Sequence, residues 1–226
     1  MTSRGVQPTT FQVRIENVAE GMVLRSSTGA TAPVAIGPTL WVVHTRSAPI
    51  FTEGQRDRGE GLEALAEDGD PGKLAAALRG QPGIVSVGTV DLAVGAARSA
   101  TVATSSYGPL LPGAAYEFTI VASPGQRLST ANMFGQSNDL FYAPREPGIA
   151  LFADGRPVRG DVTSQLVLWD AGTELNEEPG FGPNQAPRQP RPNTGPPENG
   201  VVRPVNDRFV YPPVTRVLRV TITPQP

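Results

Sequence analysis

An all-β sandwich is the fold class this chain predicts, and three observations carry the prediction. Both ends alternate apolar and polar residues with a period of two, and only one stretch has helical spacing. Glycine and proline, 25 and 24 of 226 residues, punctuate the chain well above their ordinary combined ~12%. With 38% hydrophobic residues there is still material for a core, so the excess reads as turns rather than disorder.

The elements follow in order. Phe11, Val13 and Ile15 alternate with Gln12, Arg14 and Glu16, the pattern of a half-buried strand, and Leu218, Val220 and Ile222 repeat it near the other end. Two terminal strands so alike are expected to belong to one sheet system. Further strands are expected at 39–45, 84–94, 99–105, 115–123, 127–134, 148–153 and 162–169. The helical island is EGLEALAEDGDPGKLAAALRG. Leu62, Leu65 and Ala66 share a face, Gly69 stops the first helix, and Asp70 and Pro71 open a second one carrying Leu74 and Leu78. These helices are expected to cover an edge or open end of the sandwich.

Residues 179–213 hold ten of the 24 prolines and few strand signals, which is unusual inside a compact domain. Such a segment is either a loop laid along the surface or a mobile arm; Phe181, Phe209 and Tyr211 favour the ordered loop. Its prolines bar it from serving as a central strand. Exchange of 183–204 for a Gly/Ser linker is expected to leave fold and cation affinity intact while weakening assembly or ligand binding. The expected unit is one domain over 1–226, with about eight to ten strands and one or two short peripheral helices.

Composition excludes several functions. No cysteine is present, so thiolate metal sites, cysteine nucleophiles and disulfides are out. Twenty-one acids face 19 bases without a long block of one sign, so bulk charge recruits neither nucleic acid nor an anionic membrane. The first ten residues, MTSRGVQPTT, lack the apolar run of a signal peptide, and no apolar run is long enough to insert in a membrane. Walker-type, Gly-x-Ser-x-Gly and zinc-type signatures are absent, so no enzyme is expected. The single histidine, His44, reads as a hydrogen-bonded structural residue, and Trp41 and Trp169 as core. Arg188 and Arg191 read as solvated loop arginines, and Asp68 and Asp70 as helix stop and cap.

Acids at strand ends carry the chemical signal. Asp139 lies in SNDLF after RLSTANMF, and Asp170 ends QLVLW, with Glu174 four residues on. Glu117 lies inside YEFTIV, where Phe118 and Ile120 argue for a largely buried strand. Ca²⁺ takes six to eight oxygens, and acids converging at one tip of a sandwich would meet that need. By spacing alone, acids after strands are more often turn formers or solvated charges than ligands.

Three runs in order, FTEGQ…EGLEALAEDGDP, RLSTANMFGQSNDLF and LWDAGTELNE, resemble the spondin domain, the module near the N-termini of F-spondin and mindin. The resemblance covers roughly 10–178 and the last strand. GPNQAPRQ and the lack of cysteine bring the chain closer to the bacterial members. The resemblance implies a C2-like antiparallel sandwich holding one Ca²⁺ at one end. It assigns Asp139 and Asp170 as ligands, with Glu117 on the preceding strand and Glu174 at a position where animal members carry aspartate. Leu140 replaces the tryptophan of their S-x-D-W-F. The implied function is an extracellular, secreted or cell-surface recognition and adhesion module for a protein or glycan ligand. The alternative is a structural subunit of a surface layer or filament, whose arm makes inter-subunit contacts in self-assembly.

Overall fold

The computed structural model describes residues 7–94 and 108–226. The strand expected at 99–105 lies outside the described residues. Of those described, 37% are in strands and 10% in helices, so the chain is an antiparallel β-sandwich. Among the described residues eight strands have five residues or more: β1 Thr9–Asn17, β2 Ile36–His44, β3 Ile84–Val90, β4 Ala115–Ala122, β5 Arg127–Phe134, β6 Leu140–Pro144, β7 Leu166–Asp170 and β8 Leu218–Pro224.

The terminal strands pair with each other. β1 runs antiparallel to β8, with Val13 opposite Ile222, and on its other side to β4, with Val13 opposite Phe118. Gly160–Asp161 and Ala93–Val94 flank these three and complete a five-stranded sheet. Its alternation is the sequence's own: Phe11, Val13, Ile15, Val220 and Ile222 are wholly buried, while the residues between them reach solvent. The second sheet runs Arg203–Pro204, β7, β6, β5, β2, β3, with Ile149–Ala150 also paired to β5. Between the sheets lies the larger core, in which Phe134 and Tyr142 meet edge to face and Trp41 stacks on Phe118 at 5.6 Å.

A second core lies on the outer face of the second sheet. The helices α1 Leu62–Asp68 and α2 Gly72–Leu78 set Leu62, Leu65, Leu74 and Leu78 against Leu40, Val42, Phe141 and Trp169. Each such leucine stabilises the fold by about 1.5–3 kcal/mol. The helices therefore cover a sheet face, not an edge or an open end. The cause is visible in β2, whose run Leu40–Val43 is apolar on both sides, and in β5, which is buried on both sides, so the sheet needs a second cover. Gly69 ends α1 at φ +71°, and the Asp70 carboxylate, just ahead of the N-cap Pro71, accepts the Gly72 N–H at 2.8 Å at the start of α2.

The proline-rich segment is laid along its own sandwich. Gly180 N–H donates to Gln136 O, Val202 exchanges backbone hydrogen bonds with Gly54 and Gln55, and Val202 is fully buried in the outer core. Arg203–Pro204 joins the second sheet as a two-residue edge strand beside β7, where a residue without an N–H is tolerated.

Candidate metal centre

Two turns bring two aspartates to the same end of the second sheet. The β5–β6 turn is tied by Ser137, whose hydroxyl donates to Phe134 O at 2.7 Å and accepts the Leu140 N–H at 3.1 Å. That sets Asp139 immediately before β6. Asp170 is the last residue of the neighbouring β7, in register with Leu140, and the Ala171 N–H donates to Asp139 O.

The third acid comes from the arm. Residues 196–200 run beside 172–175, with Leu175 N–H donating to Pro196 O, Glu198 N–H to Thr173 O and Gly200 N–H to Gly172 O. Gly172 permits this approach: its φ is +71°, and a Cβ there would lie 2.6 Å from Val201 N. One carboxylate oxygen from each of Asp139, Asp170 and Glu198 then lies within 4.8 Å of the others.

The hydrogen bonds at this cluster are lopsided. Oδ2 of Asp139 accepts three, from Thr173 N–H at 2.7 Å, the Thr173 hydroxyl at 3.0 Å and Glu174 N–H at 3.1 Å. Its Oδ1 has none, although the residue is 0% exposed. Asp170 accepts from Gly172 N–H on Oδ1 and from Asn176 Nδ2 and Arg203 Nη2 on Oδ2. Arg203 also donates to Glu198 Oε1 at 2.6 Å, leaving Glu198 Oε2 buried without a partner.

Electrostatics follow. Burial, then the neighbouring Asp170 charge, pushes the Asp139 carboxyl up to about 7 against the pull of the Thr173 and Glu174 donors. Burial also raises Asp170, which Arg203 partly offsets. Beneath them sits Glu67 of α1, 2% exposed, neither of its oxygens accepting a hydrogen bond. Burial first, then repulsion from Glu174, Glu63 and Asp139, pushes it up to about 8, with the nearby Thr173 hydroxyl opposing. Three carboxylates against the one Arg203 leave the cluster two negative charges short of balance. A buried carboxylate without a partner costs several kcal/mol.

The residues singled out from the sequence divide. Asp139 and Asp170 meet. Glu117 does not: it lies on the solvent face of β4, on the other sheet, held by Arg14 at 2.5 Å and Gln12. Alternation explains this correction, because Tyr116 and Phe118 point inward and therefore turn Glu117 outward. Glu174 is buried beside the cluster but outside it. Its backbone N–H holds Asp139, while its carboxylate accepts Gly195 N–H at 2.6 Å and Asn138 Nδ2 at 3.3 Å, fastening the arm.

Glu198, Arg203 and Glu67 were missed. Nothing in GPPENGVVRP marks the first two. Glu67 adjoins the apolar face of α1, and its position there was the one available signal. Arg188 braces the arm through Gly182 O and Gln185 Oε1, and Asp68 accepts Gln189 Nε2 at 2.7 Å. His44 is buried between Arg46 O and the Ser129 hydroxyl, at 2.6 and 2.9 Å. Trp169 is fully buried with its Nε1–H on Ala143 O, whereas Trp41 is only half-buried. No helix among the described residues is long and apolar enough to cross a membrane. No family model and no curated protein matches this chain.

Proposed function

We propose that this chain is a recognition module of the spondin type, held together at one end by a single Ca²⁺. The observation that carries the reading is Asp139: a wholly buried carboxylate with an unpartnered Oδ1, beside the equally unpartnered Oε2 of Glu198. All the donors are hard oxygens, which suits Ca²⁺ or Mg²⁺ and not a softer metal. A divalent ion would also neutralise the two uncompensated charges. Ligands set on a loop and two strand ends suit the variable coordination of Ca²⁺ better than the strict octahedron of Mg²⁺.

Asp139, Asp170 and Glu198 would hold the ion, and the ion would supply electrostatic cross-linking of three chain segments. Arg203 fixes two of those carboxylates, and the Thr173 and Glu174 amides aim the third. The role is to hold the arm and the sheet end in one shape for a ligand, not to activate a reacting group. Calorimetric titration of chelator-treated protein with Ca²⁺ and with Mg²⁺ tests the reading. Saturable binding of one Ca²⁺, with Mg²⁺ weaker, is the expected result. Absence of binding, together with a melting temperature indifferent to EDTA, would end the cation reading.

A further inference from the structure

The arm carries the chain's single Asn–Gly pair, Asn199–Gly200. The fold favours both residues. Asn199 lies at φ +60°, a left-handed backbone that asparagine tolerates better than most residues. A Cβ at Gly200 would lie 3.0 Å from Arg203 Nη1 and 3.2 Å from the Glu198 carboxylate carbon, two groups held together beside the acidic cluster.

The pair is chemically fragile. Asparagine is thermolabile because the next backbone nitrogen can attack its side-chain amide carbon, and a following glycine leaves that path unobstructed. Asn199 is exposed, and its carboxamide makes no hydrogen bond among the described residues. The nucleophile is the restrained partner. Gly200 N–H donates to Gly172 O at 2.7 Å, and Glu198 N–H donates to Thr173 O at 2.8 Å. Attack requires the Gly200 nitrogen to give up its proton and the chain to turn about the Asn199 Cα–C bond. Neither happens while both hydrogen bonds hold. Asn193 is also exposed and left-handed, at φ +53°, but it precedes Thr194, whose branched side chain crowds the same attack, and its carboxamide donates to Glu63.

We propose that Asn199 is a self-modification site whose reaction is gated by the seating of the arm on Gly172. When the seat opens, the Gly200 nitrogen loses its proton to solvent base and bonds to Asn199 Cγ. The Cγ–Nδ2 bond breaks and ammonia leaves. Water then opens the cyclic imide on one side or the other. Cleavage between Cγ and nitrogen gives aspartate in the original main chain, and cleavage between the backbone carbonyl carbon and nitrogen reroutes the chain through Cγ as isoaspartate. Either product adds a carboxylate next to Glu198, in a cluster already short of positive charge. Isoaspartate also inserts a methylene between the Glu198 and Gly200 amides, which then cannot reach Thr173 O and Gly172 O together. The isoaspartate arm does not reseat, so this branch runs one way. No step requires a cation, and the proposal holds or fails independently of the Ca²⁺ site.

The test incubates the full chain at pH 8 in EDTA beside a synthetic peptide of residues 195–204, with the asparagine, aspartate and isoaspartate forms separated by peptide mapping. Conversion and amide exchange both need the Gly200 N–H freed, so conversion in the folded chain should be slowed, relative to the peptide, at least as much as exchange at Gly200. Gly172→Ala strains the seat and should speed both about five- to thirtyfold, whereas Gly155→Ala, of similar φ and far from the arm in sequence, should leave both unchanged. Asn193 should stay unconverted throughout. The purified isoaspartate form should exchange its Glu198 and Gly200 amides as fast as the peptide does. Conversion slowed less than exchange overturns the gate, and this comparison needs only the parent chain should Gly172→Ala not fold. Gly172→Ala converting at the parent rate while Gly200 exchanges faster overturns it as well. An isoaspartate form that keeps slow exchange at both amides overturns the one-way release.

Discussion

Asp139 and Glu198 approach within 4.8 Å from the turn before β6 and from the proline-rich arm, each leaving one carboxylate oxygen without a hydrogen-bond partner. Neither residue's neighbours in sequence supply the missing partner. Between them stands Arg203, committed to Asp170 and to the other oxygen of Glu198. The arm is thus joined to the sandwich by an ionic cluster that one positive side chain does not balance.

Removing the acids should remove the response to Ca²⁺. At a hundredfold excess of Ca²⁺ over its dissociation constant, the proposed ion is expected to stabilise the fold by roughly 2.7 kcal/mol. Asp139→Asn with Asp170→Asn, and Glu198→Gln alone, are expected to abolish this shift in thermal melting. Glu117→Gln should leave it intact, since that side chain serves Arg14 on the far sheet. A lost shift in Glu117→Gln and a kept one in Glu198→Gln would reverse the assignment made here.

The cation-free protein should lose stability as pH rises. Asp139 titrates near 3.8 unfolded and about 7 folded, and Glu67 near 4.5 and about 8. Both folded values are raised, so between those limits the folded state binds more protons than the unfolded one. The penalty begins near pH 4 and is complete above pH 8, with a slope of about 1.4 kcal/mol per pH unit for each titrating group. Denaturant melts in EDTA at pH 5 and pH 8 measure it, and greater stability at pH 8 would contradict the burial argument. Ca²⁺ needs Asp139 ionised, so its affinity should rise towards pH 7 with proton release, seen by calorimetry in buffers of different ionisation enthalpy. Asp139→Asn should stabilise the cation-free protein at pH 8.

Legibility in the sequence tracked locality. The strands of the first sheet could be read because one face is wet, and Phe11, Val13 and Ile15 alternate accordingly. β2 could be placed but not oriented, since it is covered on both sides and carries no alternation. Asp139 and Asp170 were visible as acids at the ends of strands. Glu198 was not, because its place depends on backbone hydrogen bonds from Glu198 and Gly200 to Thr173 and Gly172, which leave no periodic trace. Glu117 misled for the opposite reason: its apolar neighbours argued for burial, while the period of two that located the strand turned it outward.

Gly172 should be far less tolerant than other glycines of similar backbone angle. Alanine at φ near +70° costs about 1–2 kcal/mol anywhere. At Gly155, φ +72°, nothing lies within 4 Å of an added Cβ, so Gly155→Ala should cost only that. At Gly172 the methyl would also meet the arm backbone at Val201, and the arm would have to lift. Gly172→Ala should therefore destabilise clearly more and raise hydrogen exchange at Glu198 and Gly200. Equal costs in the two variants would mean that the arm does not depend on this approach.

Exchange of 183–204 for a Gly/Ser linker was expected to leave fold and Ca²⁺ affinity intact, but the residues that the segment carries argue for the opposite outcome. The segment contains Glu198, which belongs to the acidic cluster, and Arg203, which pairs with Asp170. It also contains Val202, buried in the outer core, and the edge strand beside Trp169 and Asp170. Loss of the Val202 side chain alone removes about 1.5 kcal/mol or more of burial, and Asp170 would lose its only ion-pair partner among the described residues. The linker variant is therefore expected to melt lower than the parent even in EDTA and to bind Ca²⁺ much more weakly. Unchanged Ca²⁺ affinity in the linker variant would show that Asp139 and Asp170 suffice, and Glu198 would then be a brace for Arg203 rather than a ligand.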